Sequence, residues 1–257
     1  MEFVVITFGA FLAAMLTLFS GFGVSMVLVP VAIIYFPIPL AIALAAVVHL
    51  VSNLYKLAQL WRQVNWRMSL RFGLPAMLAA IPGALLLKHL AGYDALFSYA
   101  IGTVTAEVTL LKIIVGMLLI FFATAEWLPF FQRLHPSKKF MPIGGIMSGF
   151  FGGLSGQQGF LRSAFFFNAG LTKDQFVATN AAIGVLVDVA RLLVYGAAVP
   201  IVIASLGSAV MLSASIAACA GGLVGAIWLK RVTIRSIQLF VALLLYVLGA
   251  ALVAGLI

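Results

Sequence analysis

Charged residues are scarce in this chain. Lys, Arg, Asp and Glu make up 8% of its 257 residues, whereas 65% are hydrophobic. In a typical soluble domain about a quarter of the residues are charged. No polar stretch is long enough to form such a domain. The composition therefore excludes a soluble enzyme or binding module and predicts a membrane domain throughout.

Acidic residues are the rarest charged type, six against fifteen Lys and Arg, which gives a formal net charge of +9. Basic chains often bind nucleic acid, but these basic residues lie in short segments between apolar stretches and not on a soluble fold. In such segments they face anionic lipid and fix the orientation of membrane helices. We expect the lipid bilayer as a partner and no nucleic acid.

Cysteine occurs once, at Cys219 in an apolar segment rich in Ala and Gly. It forms no internal disulfide, and a buried, inert thiol is expected. The start of the chain carries Glu2 but no Lys or Arg, which a cleaved signal peptide requires. The segment from Phe3 onward is therefore predicted to be the first membrane segment.

Motifs of known catalytic or nucleotide chemistry are also missing. The sequence has no P-loop, no HExxH motif, no Cys/His cluster and no recognisable Ser/His/Asp spacing. Its three histidines do not by themselves indicate a metal site. We expect no enzyme activity, no cofactor, no metal and no direct use of ATP.

Apolar residues fall into eight stretches, at 3–36, 39–61, 66–87, 104–124, 141–168, 172–196, 199–229 and 236–257. About 20 helical residues cross a bilayer, so the first stretch is too long for one crossing. The first and fifth stretches contain the glycine-rich breaks 20–25 and 152–159. We expect each of these two stretches to form a helix, a turn and a second helix that returns to its starting side.

The two halves of the chain resemble each other. A shift of 133 residues superposes three pairs: Gly23 on Gly156, Leu28 on Leu161, and Ala45 on Ala178. Further on, a shift of 142 residues places Gly83–Lys88 over Gly225–Lys230. Small residues recur at Ala79 and Gly83 and at Gly221 and Gly225, which predicts close helix packing at equivalent places.

The basic residues test this arrangement. If the first and fifth stretches return, ten basic residues share one side: Arg62, Arg67, Arg71, Arg133, Lys138, Lys139, Lys173, Lys230, Arg231 and Arg235. Only Lys88 is left on the other side. By the positive-inside rule the ten face the cytoplasm, while the 88–103 loop and both termini face outward, in a multi-pass protein of a bacterial-type inner membrane.

The predicted fold is an all-α polytopic membrane protein of two inverted repeats. Each repeat has a glycine-broken returning helix pair plus three membrane helices. The first repeat spans residues 1–124, a cytoplasmic linker spans 125–141, and the second repeat spans 142–257. Matching broken helices in two halves are the pattern that points to the binding site of a transporter.

The breaks are predicted to bind substrate. A glycine turn inside a membrane frees backbone amides, and a helix that restarts there directs its N–H groups at an anion. The predicted substrate-binding residues are Gly23, Ser25, Gly156, Gln157, Gln158, Gly159 and Arg162. The alternatives are that the glycines only permit tight packing or a kink, and that Arg162 bonds backbone carbonyls at the broken helix.

Other polar residues within apolar stretches are candidates for ion coupling or gating: His49, Asn53, Thr179, Asn180, Asp188 and Arg191. Asp188 and Arg191 share a helix face, as a structural pair or an ion-responsive gate. His49 is a candidate proton carrier or a packing residue. With Asn53 and Lys56 it forms a polar stripe along one face of the second stretch, because the three recur at intervals of four and three residues. Lys112, placed centrally in the fourth stretch, and Glu107 are five residues apart and receive no role.

A known family shares these features. They are a glycine break with an apolar strip (152–162 and 21–30), the following loops and helix starts (170–172, 177–179 and 37–39), and Asn65-Trp66-Arg67. In these features nearly the whole chain resembles the sulfite exporter TauE/SafE family of membrane transporters. The resemblance implies secondary export of sulfite, another sulfur oxyanion or an organosulfonate.

The leading hypothesis is thus a secondary transporter of a small anion, coupled to protons or sodium or to neither. Its intramembrane cations outnumber the acidic residues, which favours anions. The alternatives are a transporter of small carboxylates and a membrane assembly factor that moves no solute. A membrane enzyme would need clustered His, Asp or Glu, which the chain lacks. The sequence predicts no oligomeric state.

Overall fold

The computed structural model describes residues 2–18, 23–102, 104–128, 137–166, 169–196, 208–228 and 234–257. Several predictions concern residues outside these ranges: the start of the first break at 20–22, Arg133 of the linker, and Lys230 and Arg231 of the last basic loop. The side chain of Arg235 also lies outside the description.

Ten α-helices are described, five before the linker and five after it. The first five are α1 (Glu2–Thr17), α2 (Ser25–Ile33), α3 (Ile38–Leu60), α4 (Trp66–Leu90) and α5 (Leu110–Trp127). The others are α6 (Met141–Ser155), α7 (Gly159–Phe166), α8 (Lys173–Tyr195), α9 (Ser208–Trp228) and α10 (Ile234–Val253). Short 3-10 turns occupy Trp61–Gln63 and Lys138–Phe140.

Four helical segments are long and apolar enough to cross a membrane: Ile38–Gln63, Trp66–Leu90, Lys173–Tyr195 and Ser208–Ile227. This confirms the prediction of a largely helical, multi-pass membrane protein. The helices α2 and α7 have only 9 and 8 residues. At 1.5 Å per residue they are about 12–14 Å long, less than half the thickness of a bilayer core of about 30 Å.

Helix starts are set by polar caps in the sequence. The side chain of Asn65 accepts a hydrogen bond from the backbone N–H of Met68 at 3.1 Å and begins α4. Thr109 begins α5 in the same way. Thr172 and Gln175 form a reciprocal capping box at α8. Such caps satisfy N–H groups that have no partner within the helix, so these three starts are fixed locally.

A β-hairpin precedes α5, with β1 (Phe97–Ile101) antiparallel to β2 (Val104–Val108). The prediction that the whole 104–124 stretch is a membrane segment is therefore wrong for residues 104–108. The reason is a period of two: Ala106 and Val108 are buried, whereas Thr105 and Glu107 are exposed. The hairpin also contacts the chain end, because the N–H of Glu107 donates to the carbonyl of Gly255 at 3.2 Å.

The central placement of Lys112 is likewise corrected by the hairpin. Lys112 lies in the first turn of α5, directly after the hairpin. Its ammonium donates to the backbone carbonyl of Glu107 at 2.9 Å. Lys112 is thus held at the end of a helix and is not a cation in the middle of a span.

The packing of the long helices connects the two halves. α4 packs against α6 and α8, whereas α9 packs against α1 and α3. α3 also packs against α8, and α5 packs against α10. The pair α3 and α8 therefore forms the centre of the bundle, and the short helices α2 and α7 pack beside their partners α1 and α6.

Glycines permit backbone contact between these helices. A Cβ atom on Gly149 or Gly153 of α6 would collide with the carbonyl oxygen of Ala76 or Ala80 of α4. A Cβ on Gly83 would collide with the backbone of α6 at Phe150. In α9, a Cβ on Gly221 or Gly225 would likewise collide with the backbone of α1. The predicted close packing at Gly83, Gly221 and Gly225 is confirmed.

We predict that Gly149→Ala destabilises the protein by about 1–3 kcal/mol, because the added methyl group forces α4 and α6 apart. The matched control is Gly222→Ala in α9, where a Cβ would meet only the end of Lys56, at 3.8 Å. Thermal unfolding of the purified protein in detergent measures both variants. Equal melting temperatures for the two variants would show that α4 and α6 accommodate the added methyl group without loss of stability.

Candidate functional site

The two breaks have the same backbone conformation at the aligned glycines. Gly23 has φ 82° and Gly156 has φ 79°, both in the left-handed region that favours glycine. Gly156 directly follows α6, and its N–H donates to the carbonyl of Gly152 at 3.0 Å. The two glycines aligned by the sequence shift of 133 therefore share a backbone conformation.

The breaks also lie against each other. A Cβ on Gly156 would be 3.1 Å from the Val29 side chain and 3.7 Å from Cβ of Ser25, both in α2. Ser25 is buried, as are the predicted site residues from Gly156 to Gly159. The second break is thus in contact with the short helix that follows the first break.

A buried carboxylate lies next to the breaks. Oδ1 of Asp188 is 2.7 Å from Nη2 of Arg191 and accepts from its Nε at 3.0 Å. The other carboxylate oxygen, Oδ2, is 2.6 Å from Nδ1 of His49. All three side chains are essentially inaccessible to solvent, at 0%, 0% and 1% exposure. The pairing predicted from the spacing of Asp188 and Arg191 is present, and His49 joins it from α3.

Arg191 connects this carboxylate to both breaks. Its Nη1 donates to the carbonyl of Gly152 at 3.3 Å, in the last turn of α6. Its Nη2 donates to the hydroxyl of Ser25 at 3.2 Å, in the first turn of α2. The guanidinium therefore bonds the carbonyl end of one helix and the start of another, which favours the structural interpretation of this ion pair.

Two amide side chains complete the network around His49. Nε2 of Gln158 donates to Oδ1 of Asp188 at 3.2 Å and lies 3.4 Å from Nδ1 of His49. Nδ2 of Asn53 lies 3.1 Å from Nδ1 and 3.3 Å from Nε2 of the ring. A Cβ on Gly184 would collide with the Asn53 amide, so glycine there leaves room for this side chain beside α8.

Several buried polar atoms of the candidate residues have no hydrogen-bond partner in the described part of the chain, although almost all buried polar groups in proteins have one. Within the described chain they include Nε and Nη1 of Arg162, Nε2 of Gln157, Oε1 of Gln158, and both amide atoms of Asn180. Arg162 is only 2% exposed. The alternative in which Arg162 bonds backbone carbonyls does not account for these two nitrogens.

The charge of Arg162 acts on the network as well. Its guanidinium interacts electrostatically with Asp188, His49 and Lys56. Along α8, Asn180, Gly184 and Asp188 recur at intervals of four and so share one face. Because Gly184 contacts Asn53, that face lies against the His49 stripe of α3.

Thr179 has a different environment. Its hydroxyl accepts a hydrogen bond from the backbone N–H of Asn65 at 3.0 Å. This bond ties the α3–α4 connection to α8, so the Thr179 side chain has a structural partner. Neighbouring Asn180, in contrast, has none for its amide within the described residues.

A cavity of about 180 Å³ lies where α3 ends and α8 begins. Its polar lining residues are Ser52, Tyr55, Lys56, Gln59, Asp174 and Cys219. The hydroxyl of Ser52 is buried and has no partner in the described chain. Cys219 is half-buried in the cavity wall, so the expectation of a buried thiol is corrected.

Three parts of this site were missed by sequence reasoning: the His49–Asp188 contact, Gly184 and Ser148. The hydroxyl of Ser148 donates to the backbone carbonyl of Gln158 at 2.7 Å and fixes the second break. Helical spacing gave a signal for Gly184, which is four residues before Asp188. The described residues contain no cluster of three or more His, Cys, Asp or Glu that suits a metal ion.

We predict that Asp188→Asn destabilises the protein by about 3–5 kcal/mol, because Arg191 is left as a buried charge without a counterion. The double variant Asp188→Asn/Arg191→Gln removes both charges and should recover part of that loss. Asp174→Asn, at the exposed start of α8, is the control and should change little. Thermal unfolding in detergent measures all three; a double variant no more stable than Asp188→Asn would contradict the explanation by unpaired charge.

Comparison with known proteins agrees with a helical membrane protein. A family model described as sulfite exporter TauE/SafE matches residues 6–252, nearly the entire chain. No curated protein matches the chain. Members of the matched family are membrane transporters and not enzymes. The chain belongs to the sulfite exporter TauE/SafE family.

Proposed function

We propose that this protein is a secondary transporter of a small anion, with sulfite, another sulfur oxyanion or an organosulfonate as the expected class. The anion binds where the two broken helices meet, and the protein acts as an exporter. One observation carries the proposal: the Arg162 guanidinium is buried, and its Nε and Nη1 have no partner in the described chain.

The balance of buried charge supports an anion. Asp188 is neutralised by Arg191 at 2.7 Å. Among the described residues of the site, the buried Arg162 and the half-buried Lys56 then remain as cations without a paired carboxylate. Uncompensated charge inside a membrane protein is costly and usually functional. An anion between the breaks offsets that cost.

The unpaired donors also suit an oxyanion. A guanidinium presents a planar fork of N–H groups that matches the oxygens of a sulfonate or carboxylate. The amide nitrogen of Gln157, adjacent to the α7 start, offers a further buried donor. The backbone N–H groups at the start of α7 add partial positive charge. These groups bind any small oxyanion, so the preference for sulfur oxyanions comes from the family.

The cavity beside Lys56 supports an access route. It lies at the end of α3 next to Asp174, the second residue of α8. In the proposed topology this is the cytoplasmic end of the bundle. Lys56 and Ser52 line it, so an anion entering from the cytoplasm meets an ammonium and a free hydroxyl before it reaches Arg162.

An inverted repeat is supported by the helix packing. Each helix of the first half has a counterpart in the second half, from α1 with α6 to α5 with α10. If the counterparts are exchanged, the α4–α6 contact becomes α9–α1 and the α4–α8 contact becomes α9–α3. All four contacts are present. The contacts α3–α8 and α5–α10 convert into themselves. With the matching glycines of the breaks, this pattern supports repeats over 1–124 and 142–257 joined by the linker 125–141.

Two contacts support the proposed topology. The 61–65 turn lies beside the first part of α8 through the Asn65–Thr179 hydrogen bond, so basic residues near both share a side. At the other side, the hairpin bonds to Gly255 near the C-terminus. We propose that the first side faces the cytoplasm of an inner membrane, and that the hairpin and both termini face outward.

We predict that Arg162→Gln lowers the rate of anion uptake by about 100-fold or more, since two charge-assisted hydrogen bonds are lost. Ser25→Ala removes one neutral hydrogen bond and should cost about tenfold or less. The measurement is sulfite–sulfite exchange in proteoliposomes, repeated with thiosulfate, methanesulfonate and small carboxylates.

The control for this experiment is Arg67→Gln, which removes an exposed arginine of α4 and should leave exchange unchanged. All variants are compared at equal protein amount and after thermal unfolding shows that they are folded. Wild-type exchange in a folded Arg162→Gln protein would reduce this arginine to a scaffold role. No exchange of any anion by the wild-type protein would overturn the transport proposal, and a preference for carboxylates would overturn its substrate class.

We predict that single cysteines in a Cys219→Ser background label from different sides. Asp94→Cys, in the loop before the hairpin, should react with an impermeant thiol reagent in intact cells. Gln63→Cys and Thr233→Cys should react only after the membrane is permeabilised. Labelling of Gln63→Cys and Thr233→Cys from opposite sides would exclude the returning-helix topology in favour of eight single crossings.

A further inference from the structure

The His49 ring is in contact with both breaks and with the buried ion pair. Nδ1 lies 2.6 Å from Asp188 and 3.4 Å from the Gln158 amide of the second break. On its other edge, a Cβ on Gly23 of the first break would lie 2.7 Å from Nε2. A change in the charge or position of this ring therefore affects both breaks, between which the anion is proposed to bind.

The carboxylate of Asp188 does not need His49 for charge balance, because Arg191 already supplies a counterion. If His49 served only for packing, it would not need contact with a carboxylate. What the contact provides is an acceptor for Nδ1–H in both charge states of the ring. A buried imidazole with a fixed carboxylate partner can hold a proton that a purely apolar site would exclude.

The other ring nitrogen also has a partner suited to both states. In the neutral ring, Nε2 accepts a hydrogen bond from the Asn53 amide nitrogen at 3.3 Å. In the protonated ring, Nε2 becomes a donor. A rotated Asn53 side chain then presents its carbonyl oxygen, since the amide carries donor and acceptor groups at opposite positions. Glycine at position 184 leaves room beside the Asn53 amide.

The charged groups around His49 set the sign of the coupling. α8 contributes Asp188 and Arg191, α7 contributes Arg162, and α3 itself contributes Lys56, whereas α2 has no titratable residue. Arg191 opposes a further proton on the ring, although Asp188 pairs with its charge, and the positive charge of Arg162 opposes it as well. An anion beside Arg162 cancels that opposition, so the anion and the proton bind together.

We propose that His49 is the proton-carrying site of the transporter, and that one proton crosses the membrane with the anion in the same direction. This inference rests on the proposed anion transport and adds its coupling ion. Export then runs down the outward gradient of the anion and carries one proton out with each anion, and an inward proton gradient drives the same cycle in reverse. Because binding linkage is reciprocal, the anion promotes protonation of His49 to the same extent that the proton promotes anion binding. The proton enters as a solvent proton and leaves as one, and no covalent step is involved.

The test uses proteoliposomes with wild-type protein and thiosulfate or methanesulfonate, which keep one charge state over about pH 5–8, where histidine titrates. Two quantities are measured with the membrane potential clamped: exchange at equal pH on both sides, and net uptake with an acidic exterior. We expect the inward proton gradient to drive accumulation of the anion. We also expect the vesicle interior to become more acidic, as reported by an enclosed pH-sensitive dye.

His49→Gln keeps a hydrogen-bonding side chain but cannot titrate. We expect it to lose gradient-driven accumulation at least tenfold, while anion exchange falls by no more than a few-fold. His89→Gln, at the exposed end of α4, is the matched control and should keep both activities. The split between exchange and driven uptake distinguishes a proton carrier from a residue that only supports the fold.

Each other outcome overturns the inference. Gradient-driven accumulation by His49→Gln would show that the proton travels elsewhere. Loss of exchange by a folded His49→Gln protein would assign His49 to the anion site itself. If that variant does not fold, the pH-dye signal of the wild-type protein tests the coupling. Absence of acidification, or accumulation driven by a sodium gradient, would exclude proton coupling. Failure of exchange in the wild type would instead contradict the proposed transport.

Discussion

The buried carboxylate of Asp188 is the centre of a network that joins both halves of the chain. Asp188 is shared by Arg191 from its own helix and His49 from α3, at 2.7 and 2.6 Å. Buried charges are tolerated only when they are paired and hydrogen-bonded, and here the pairing extends outward. Arg191 also bonds the end of α6 and the start of α2, and Asp188 also receives the Gln158 amide. One charge thus organises elements from both halves of the chain.

The breaks place helix ends and backbone carbonyls beside this network. Each restarts a helix in the interior, and the left-handed glycines Gly23 and Gly156 make the turn without strain. Backbone groups at such places are stable only where protein encloses them. The carbonyl of Gly152 is satisfied by Arg191, and that of Gln158 by Ser148. In contrast, Arg162 keeps two nitrogens without a partner in the described chain, which distinguishes it from the structural arginine.

Local signals allowed much of this arrangement to be predicted. Glycine spacing located the breaks, and helical spacing located the Asp188–Arg191 pair, because both depend on residues close in sequence. The contact between His49 and Asp188 joins residues 139 positions apart on different helices, so no local pattern gave it. The β-hairpin was missed because a short apolar run does not distinguish a strand from the start of a membrane helix. The anion-binding roles and the inverted orientation of the halves remain predictions.

The contact between α4 and α6 has a mechanical consequence. Gly145, Gly149 and Gly153 bring bare backbone against α4 along the length of one helix face. Interfaces made of side chains adapt to small displacements by changing rotamers, but at these three glycines there is no side chain to change. Packed interfaces of this kind hold discrete arrangements and do not deform gradually. Any motion of α6, and of the break at its end, therefore tends to occur as a single step between two well-defined positions.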